Sequence, residues 1–304
     1  MSDLLVLDRG RMAADFPHRP FPIRHGLSDH PLFSLTRIVE LARRMDRDRI
    51  EYSSGKLAVD QDPDAIPEIE LTAEETIRRI EEAGAWMVIK NVEADPEYRA
   101  VLEAVLAEAR AAAGLDDGAM ADIRGFLFVS SAGSTTPFHV DAEHNLFVQI
   151  RGDKAMHIFD NEDRSLVSEQ DMEITPSKHR NQRYRPEFED RARVFEMTEG
   201  DGVFLPYMWP HWVATGGRYC ISLAITWKSP EVERLNKIRF MNGFLRQVGM
   251  PQAGPATHPA LDKVKVLAFD AAHALIDPLR KSERARRVIR QLLFGRKANY
   301  YYKA

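Results

Sequence analysis

The chain has 304 residues, 44 % of them hydrophobic and 29 % charged, with a formal net charge of −4. That length fits about two domains or one large β domain, and the weakly acidic balance gives no global pointer to nucleic acid. A lone cysteine, Cys220, excludes a disulfide framework and a cysteine-based zinc cluster. The first ten residues lack the pattern of a secretory signal, and no apolar run approaches the ~18 residues of a membrane helix, so the expected location is cytoplasmic.

Residues 1–35 are dense in His, Pro and Phe, which predicts an extended segment wrapping the core. Its histidines, His18, His25 and His30, read as surface or capping residues. Helical spacing runs from Leu35 to Met45. A strand with a Ser-Ser-Gly turn fits Ile50 to Val59. Thr72-Ala73-Glu74-Glu75 is a capping-box pattern that opens a helix to about Ala83, with Gly84 as its stop. Ala85 to Lys90 reads as a buried strand. Asp95-Pro96 starts a further helix to about Ala113.

From Gly125 the pattern turns to short strands. Phe126 to Ser130 is one, and Thr136 to Asp141 leads into Asn145 to Ile150. Arg151-Gly152-Asp153 reads as the turn of a hairpin whose return strand is Lys154 to Phe159. Residues 160–192 are polar, and are expected to form a loop that covers the site and orders on substrate binding. Val194 to Met197, Val203 to Leu205 and Cys220 to Trp227 complete the strands. After Ser229-Pro230 helical spacing returns over Val232 to Val248, Leu261 to Ile276 and Ser282 to Leu293. These elements predict an α+β chain with a mainly β core: a double-stranded β-helix (jelly roll, cupin-like) with flanking N-terminal and C-terminal helices. The expected division is 1–228 for the core domain and 229–304 for a helical extension.

The chemistry centres on His139-Val140-Asp141. In a strand, alternate side chains share a face, so His139 and Asp141 point the same way. His211, in the Pro- and Trp-rich stretch 204–213, is the candidate third arm. Two His and one carboxylate with open positions opposite form the ligand set of non-haem Fe(II) oxygenases. Taken alone, His211 also fits a satisfied core histidine between Trp209 and Trp212. His144, His157 and His179 lack partners at ligand spacing, and Cys220 reads as core. Tyr207 and Trp209 are candidate substrate contacts.

Thr136 to Asp141, followed by Asn145 to Lys154, resembles the Jumonji-C and cupin-like 2-oxoglutarate oxygenases, with the nearest likeness to the asparaginyl hydroxylase acting on hypoxia-inducible factor. The stretch Gly200-Asp201-Gly202 to His211 resembles the second-histidine strand of that family. The resemblance covers about residues 70–228. It implies a double-stranded β-helix, Fe(II) held by His139, Asp141 and His211, and 2-oxoglutarate contacted by Thr136, Asn145 and Lys154. The family often carries an Asn near a Trp on its last strand, whereas here Ala224-Ile225-Thr226-Trp227 has none. Lys154 suits the distal carboxylate as a point charge, with Arg218 as the alternative cation.

The expected function is hydroxylation of a C–H bond in a small molecule or a protein side chain. The rival readings are a non-catalytic cupin-like ligand- or partner-binding protein, and a metal-dependent hydrolase or isomerase using the same ligands. The C-terminal segment 271–304 carries nine basic residues against two acids, a net of +7. Ala285, Val288, Ile289, Leu292 and Leu293 form an apolar stripe there. The stripe fits the protein's own core, a homodimer through the C-terminal helices, or an anionic surface; the homodimer is the expectation.

Overall fold

Short runs of alternating buried and exposed side chains, broken at glycine and proline, pair antiparallel throughout. The computed structural model describes residues 4–177 and 181–280. Its strands are β1 (Leu5–Val6), β2 (Phe21–His25), β3 (Ile50–Ser54), β4 (Ala85–Lys90), β5 (Ala121–Ser130), β6 (Thr135–His139), β7 (His144–Arg151), β8 (Lys154–Ile158), β9 (Arg193–Met197), β10 (Asp201–Leu205), β11 (His211–Thr215) and β12 (Cys220–Lys228). Its helices are α1 (Arg9–Asp15), α2 (Leu35–Arg44), α3 (Ala73–Arg78), α4 (Pro96–Ala113), α5 (Glu169–Ile174), α6 (Pro230–Gln247) and α7 (Pro259–Arg280).

Two sheets face each other. The larger has the order β1-β2-β10-β7-β12-β5-β4-β3 and the smaller β6-β11-β8-β9. This is the double-stranded β-helix the sequence predicts. The inner faces meet over Phe147, Met156, Ile158, Val203, Val213 and Ala224. On the outer face of the larger sheet α2 and α4 bury Ile38, Leu41, Leu102, Val105 and Leu106. Each fully buried aliphatic side chain there is worth about 1.5–3 kcal/mol.

The predicted hairpin at 151–153 is wrong. β7 pairs with β10 and β12, whereas β8 pairs with β11 and β9, so the chain crosses from one sheet to the other. β7 is buried from His144 to Ile150 because it is a central strand of the larger sheet. Gly152 makes the crossing possible: its φ is +76°, and a Cβ there would stand 2.5 Å from the Tyr219 carbonyl. Lys154 therefore starts the strand beside His211 and not the strand beside His139.

Other boundaries shift for local reasons. The capping box at Thr72 and Glu75 forms, but α3 stops at Arg78, and turns carry the chain to Gly84 at φ +59°. The N-terminal segment is not wholly extended: Asp8 caps the short helix α1 ahead of the prolines. Residues 160–192 are not an open loop. Among the described residues of this segment α5 forms, and Leu166, Val167, Met172 and Phe188 pack in one cluster with Phe138 and Phe159. Glu173, buried, takes two bonds from Arg246 at 2.8 and 2.9 Å, tying α5 to α6. The predicted helix 282–293, the C-terminal apolar stripe and His179 lie outside the described residues. None of the described helices is long and apolar enough to cross a membrane.

Candidate metal and co-substrate site

β6 and β11 are neighbours in the smaller sheet, with His139 directly opposite His211. That register brings the two imidazoles together, their ring centroids 4.1 Å apart. Asp141 follows the end of β6, outside the strand, and still converges. Its Oδ2 is 3.9 Å from His139 Nε2 and 3.7 Å from His211 Nε2. Ligand atoms of all three residues lie within 4.8 Å of one another.

Both rings are held in one tautomer. His139 Nδ1 donates to the Pro137 carbonyl at 2.7 Å, and His211 Nδ1 donates to the Trp209 carbonyl at 3.0 Å. Each Nε2 is then the lone-pair nitrogen facing Asp141. A backbone acceptor on the far nitrogen is how protein metal sites fix histidine ligands. The donor set of two imidazoles and one carboxylate suits iron(II) with positions left open.

A cavity of about 280 Å³ opens from this cluster into the space between the sheets. Thr136, Asn145 and Lys154, the three residues assigned to a co-substrate by resemblance, line it together with the three candidate ligands. Lys154 lies at the start of β8, 4 % exposed. Its Nζ sits 5.7 Å from the centres of the Phe128 and Phe147 rings. Among the described residues no carboxylate pairs with it, and burial holds its pKa down to about 8. A buried cation without an acid is costly and calls for an anionic ligand. The Thr136 hydroxyl accepts from Trp86 Nε1 at 3.0 Å, which leaves its proton to donate into the cavity. Asn145 Oδ1 is buried with no protein partner.

Some residues singled out in the sequence fall outside this site. His144 is core: it accepts from the Tyr207 backbone N–H at 3.2 Å, and burial holds its pKa down to about 4. His157 pairs with Glu189 and stacks on Trp212 with ring centroids 3.8 Å apart. Tyr207 and Trp209 do not line the cavity; Tyr207 donates instead to Asn236 at 2.9 Å. Arg218 pairs with Asp153 at 3.6 Å and is mostly exposed, so it is no alternative to Lys154. Cys220 is buried and donates to the Asp153 carbonyl.

Others were missed. Thr226 lines the cavity, directly opposite Asn145 in register, and its buried hydroxyl has only the Glu143 carboxylate beside it to donate to. The alternation of β12 places Ala224 and Thr226 on one face, a signal already present in the sequence. Glu143 is half-buried on the same wall; burial, and then the Asp141 carboxylate, push its pKa up to about 7. The roof comes from Leu57, Pro63 and Ile66. Of residues 160–192, only Asn181 among those described lines the cavity.

Two solved structures show the same fold. The chain is 14 % identical to YcfD of Escherichia coli, with a TM-score of 0.53 over 96 % of this chain and 73 % of that one. A second structure of YcfD, described as a ribosomal oxygenase in complex with cobalt and 2-oxoglutarate, matches at 14 % identity and a TM-score of 0.50, over 90 % of this chain and 67 % of that one. No curated protein matches the chain in sequence. The sequence profile of the cupin-like domain matches residues 57–232, which contain both strands of the histidine pair and the cavity between the sheets. The chain belongs to the cupin-like domain family.

Proposed function

We propose that the protein is an Fe(II)- and 2-oxoglutarate-dependent oxygenase that hydroxylates a C–H bond of its substrate. The reaction converts 2-oxoglutarate, O2 and R–H into succinate, CO2 and R–OH. One observation carries the reading: the cavity has a tautomer-fixed His-Asp-His cluster at one end and, at the other, a buried ammonium that no acid among the described residues pairs. A dicarboxylate with a keto acid at one end satisfies both. His139, Asp141 and His211 would hold the iron, whose chemistry is activation of O2 coupled to decarboxylation of the keto acid. Lys154 pairs with the distal carboxylate, Thr136 donates to it, and Asn145 supports the co-substrate from β7. Phe128 and Phe147 flank the ammonium and exclude water, which strengthens the ion pair. A non-catalytic cupin-like binder has no use for this pairing, and a metal-dependent hydrolase has none for Lys154. Calorimetric titration of 2-oxoglutarate into Mn(II)-loaded protein tests the reading: binding that requires the metal supports it, and no binding overturns it.

The helical extension from residue 229 supports a second assignment, a homodimer through the C-terminal helices. Along α7, Leu261, Val264, Leu267 and Leu275 are all more than half exposed. They recur at helical spacing, and the chain continues from this helix into a basic segment while residues 1–270 carry a net −11. Pairing of two apolar faces, each basic tail against an acidic body, covers this surface. Light scattering should give a dimer; a mass of 34.7 kDa at all concentrations would exclude it.

A further inference from the structure

The pairing of β6 with β11 ends at His139 opposite His211. The turn 140–143, which carries Asp141, therefore takes its position from elsewhere. Two of its carbonyls are held from outside the turn. The Met208 N–H donates to the Asp141 carbonyl at 2.9 Å, and Asn236 Nδ2 donates to the Ala142 carbonyl at 2.9 Å. Met208 is buried with φ at +61°, a left-handed backbone that costs a residue with a side chain free energy and persists where the surroundings impose it. Here it aims an N–H at the turn.

Asn236, on α6, uses both ends of its amide. Its Oδ1 accepts from the Tyr207 hydroxyl at 2.9 Å. Tyr207 accepts in turn from Arg239, whose guanidinium pairs with Glu169 of α5. This order sends the hydroxyl proton to Asn236 Oδ1 and leaves Nδ2 to donate to Ala142. Loop 206–210, which leads into His211, and the turn 140–143 thus meet on one side chain. Asn236 is half-buried and does not line the cavity. It also lies beyond residue 232, where the match to the cupin-like profile ends.

We propose that Asn236 is a positioning residue for the metal centre: it holds the turn 140–143 so that the Asp141 carboxylate faces His139 and His211. Helix α6 is then a part of the centre and not a separate extension. The inference rests on the reading of His139, Asp141 and His211 as metal ligands. Partners outside the ligand set act by orienting a ligand, and their loss costs metal affinity about ten- to hundred-fold.

The probe is Co(II), titrated anaerobically into the full-length protein. Equilibrium dialysis gives its affinity, and visible absorption reports the number and arrangement of its ligands. Asn236→Asp keeps the acceptor for Tyr207 and loses the donor to Ala142; Asn236→Ala loses both. Each should bind Co(II) about ten- to hundred-fold more weakly than the wild type, with a changed spectrum. Tyr207→Phe leaves the amide in place without its orienting partner and should cost about two- to ten-fold, the worth of one neutral hydrogen bond. Lys265→Met is the control: it breaks the 2.6 Å bond from Lys265 to Asn242 that ties α7 to α6, and should lower stability while keeping the wild-type affinity and spectrum. Wild-type affinity and spectrum in the Asn236 variants overturn the inference. So does the same spectral change in Lys265→Met at equal loss of stability. If neither Asn236 variant folds, an unchanged Tyr207→Phe protein overturns it instead. A wild type that takes up no Co(II) sinks the metal reading and the inference with it, whereas a wild type that binds Co(II) beside unaltered variants removes the inference alone.

Discussion

The two ends of the cavity are built on opposite terms. At the metal end, polar groups are satisfied by the protein itself: both imidazoles donate to backbone carbonyls two residues away, and the carboxylate stands between them. At the far end, Lys154 is buried against two phenylalanines, and among the described residues it has no acid and Asn145 Oδ1 has no partner. The first end is pre-organised for an ion. The second holds unmet demands that a ligand must meet, and so costs the folded protein stability until the ligand arrives. The contrast shows where ligand-dependent stability resides, and substitutions at the two ends should behave oppositely.

The largest effect belongs to the metal end. Asp141→Ala removes the only acid of the cluster and should lower Fe(II) or Mn(II) affinity by more than about a hundred-fold, beyond the loss typical of an outer-shell partner. Equilibrium dialysis measures it; unchanged stoichiometric metal would break the comparison at this end.

Lys154 should give the next effect, with two signs. Lys154→Met should weaken 2-oxoglutarate binding by roughly 2–5 kcal/mol, the range for truncating one partner of a buried charge pair. The same change should stabilise the ligand-free protein. The ammonium's pKa falls from 10.5 to about 8 on folding, so below pH 8 the buried charge costs about 3 kcal/mol. Between pH 8 and 10.5 the unfolded chain binds more protons than the folded one, so stability rises with pH in that window. Urea unfolding of the ligand-free wild type should show this rise and Lys154→Met should lack it. A flat profile for both would mean that Lys154 has a partner in solution.

Thr226→Val is the smallest. It removes, at nearly constant shape, a buried hydroxyl with only the Glu143 carboxylate beside it, so the stability of the ligand-free protein should change by about 1 kcal/mol at most. A loss above about 1 kcal/mol by the same unfolding measurement would show that the hydroxyl is satisfied.

Much of this site was legible in the sequence because strand periodicity and short motifs are local. His139 and Asp141 are two residues apart, and the cluster of Pro and Trp flags His211. The strands and most helices also follow from local pattern, as at Asp95-Pro96 and the Thr72 capping box. What was not legible depends on which strands become neighbours. Residues 151–153 read as a hairpin turn, and nothing local tells a hairpin from a crossing between sheets. That same non-local pairing puts Thr226 opposite Asn145 and Lys154 beside the strand of His211. The segment 160–192 reads as an open loop because it is polar, yet among its described residues Leu166, Val167, Met172 and Phe188 pack with Phe138 and Phe159. The roof came instead from residues 57–66, where the sequence pattern was only a strand end.

The central claim is that the two ends act on one dicarboxylate. The most direct measurement is succinate formed from 2-oxoglutarate by the Fe(II)-loaded protein with ascorbate in air, compared with the His211→Ala and Lys154→Met proteins. The account predicts succinate from the wild type even without added substrate, none above background from His211→Ala, and recovery by Lys154→Met only at raised 2-oxoglutarate. Succinate at wild-type levels from His211→Ala, or none from a wild type shown to hold iron, would contradict it.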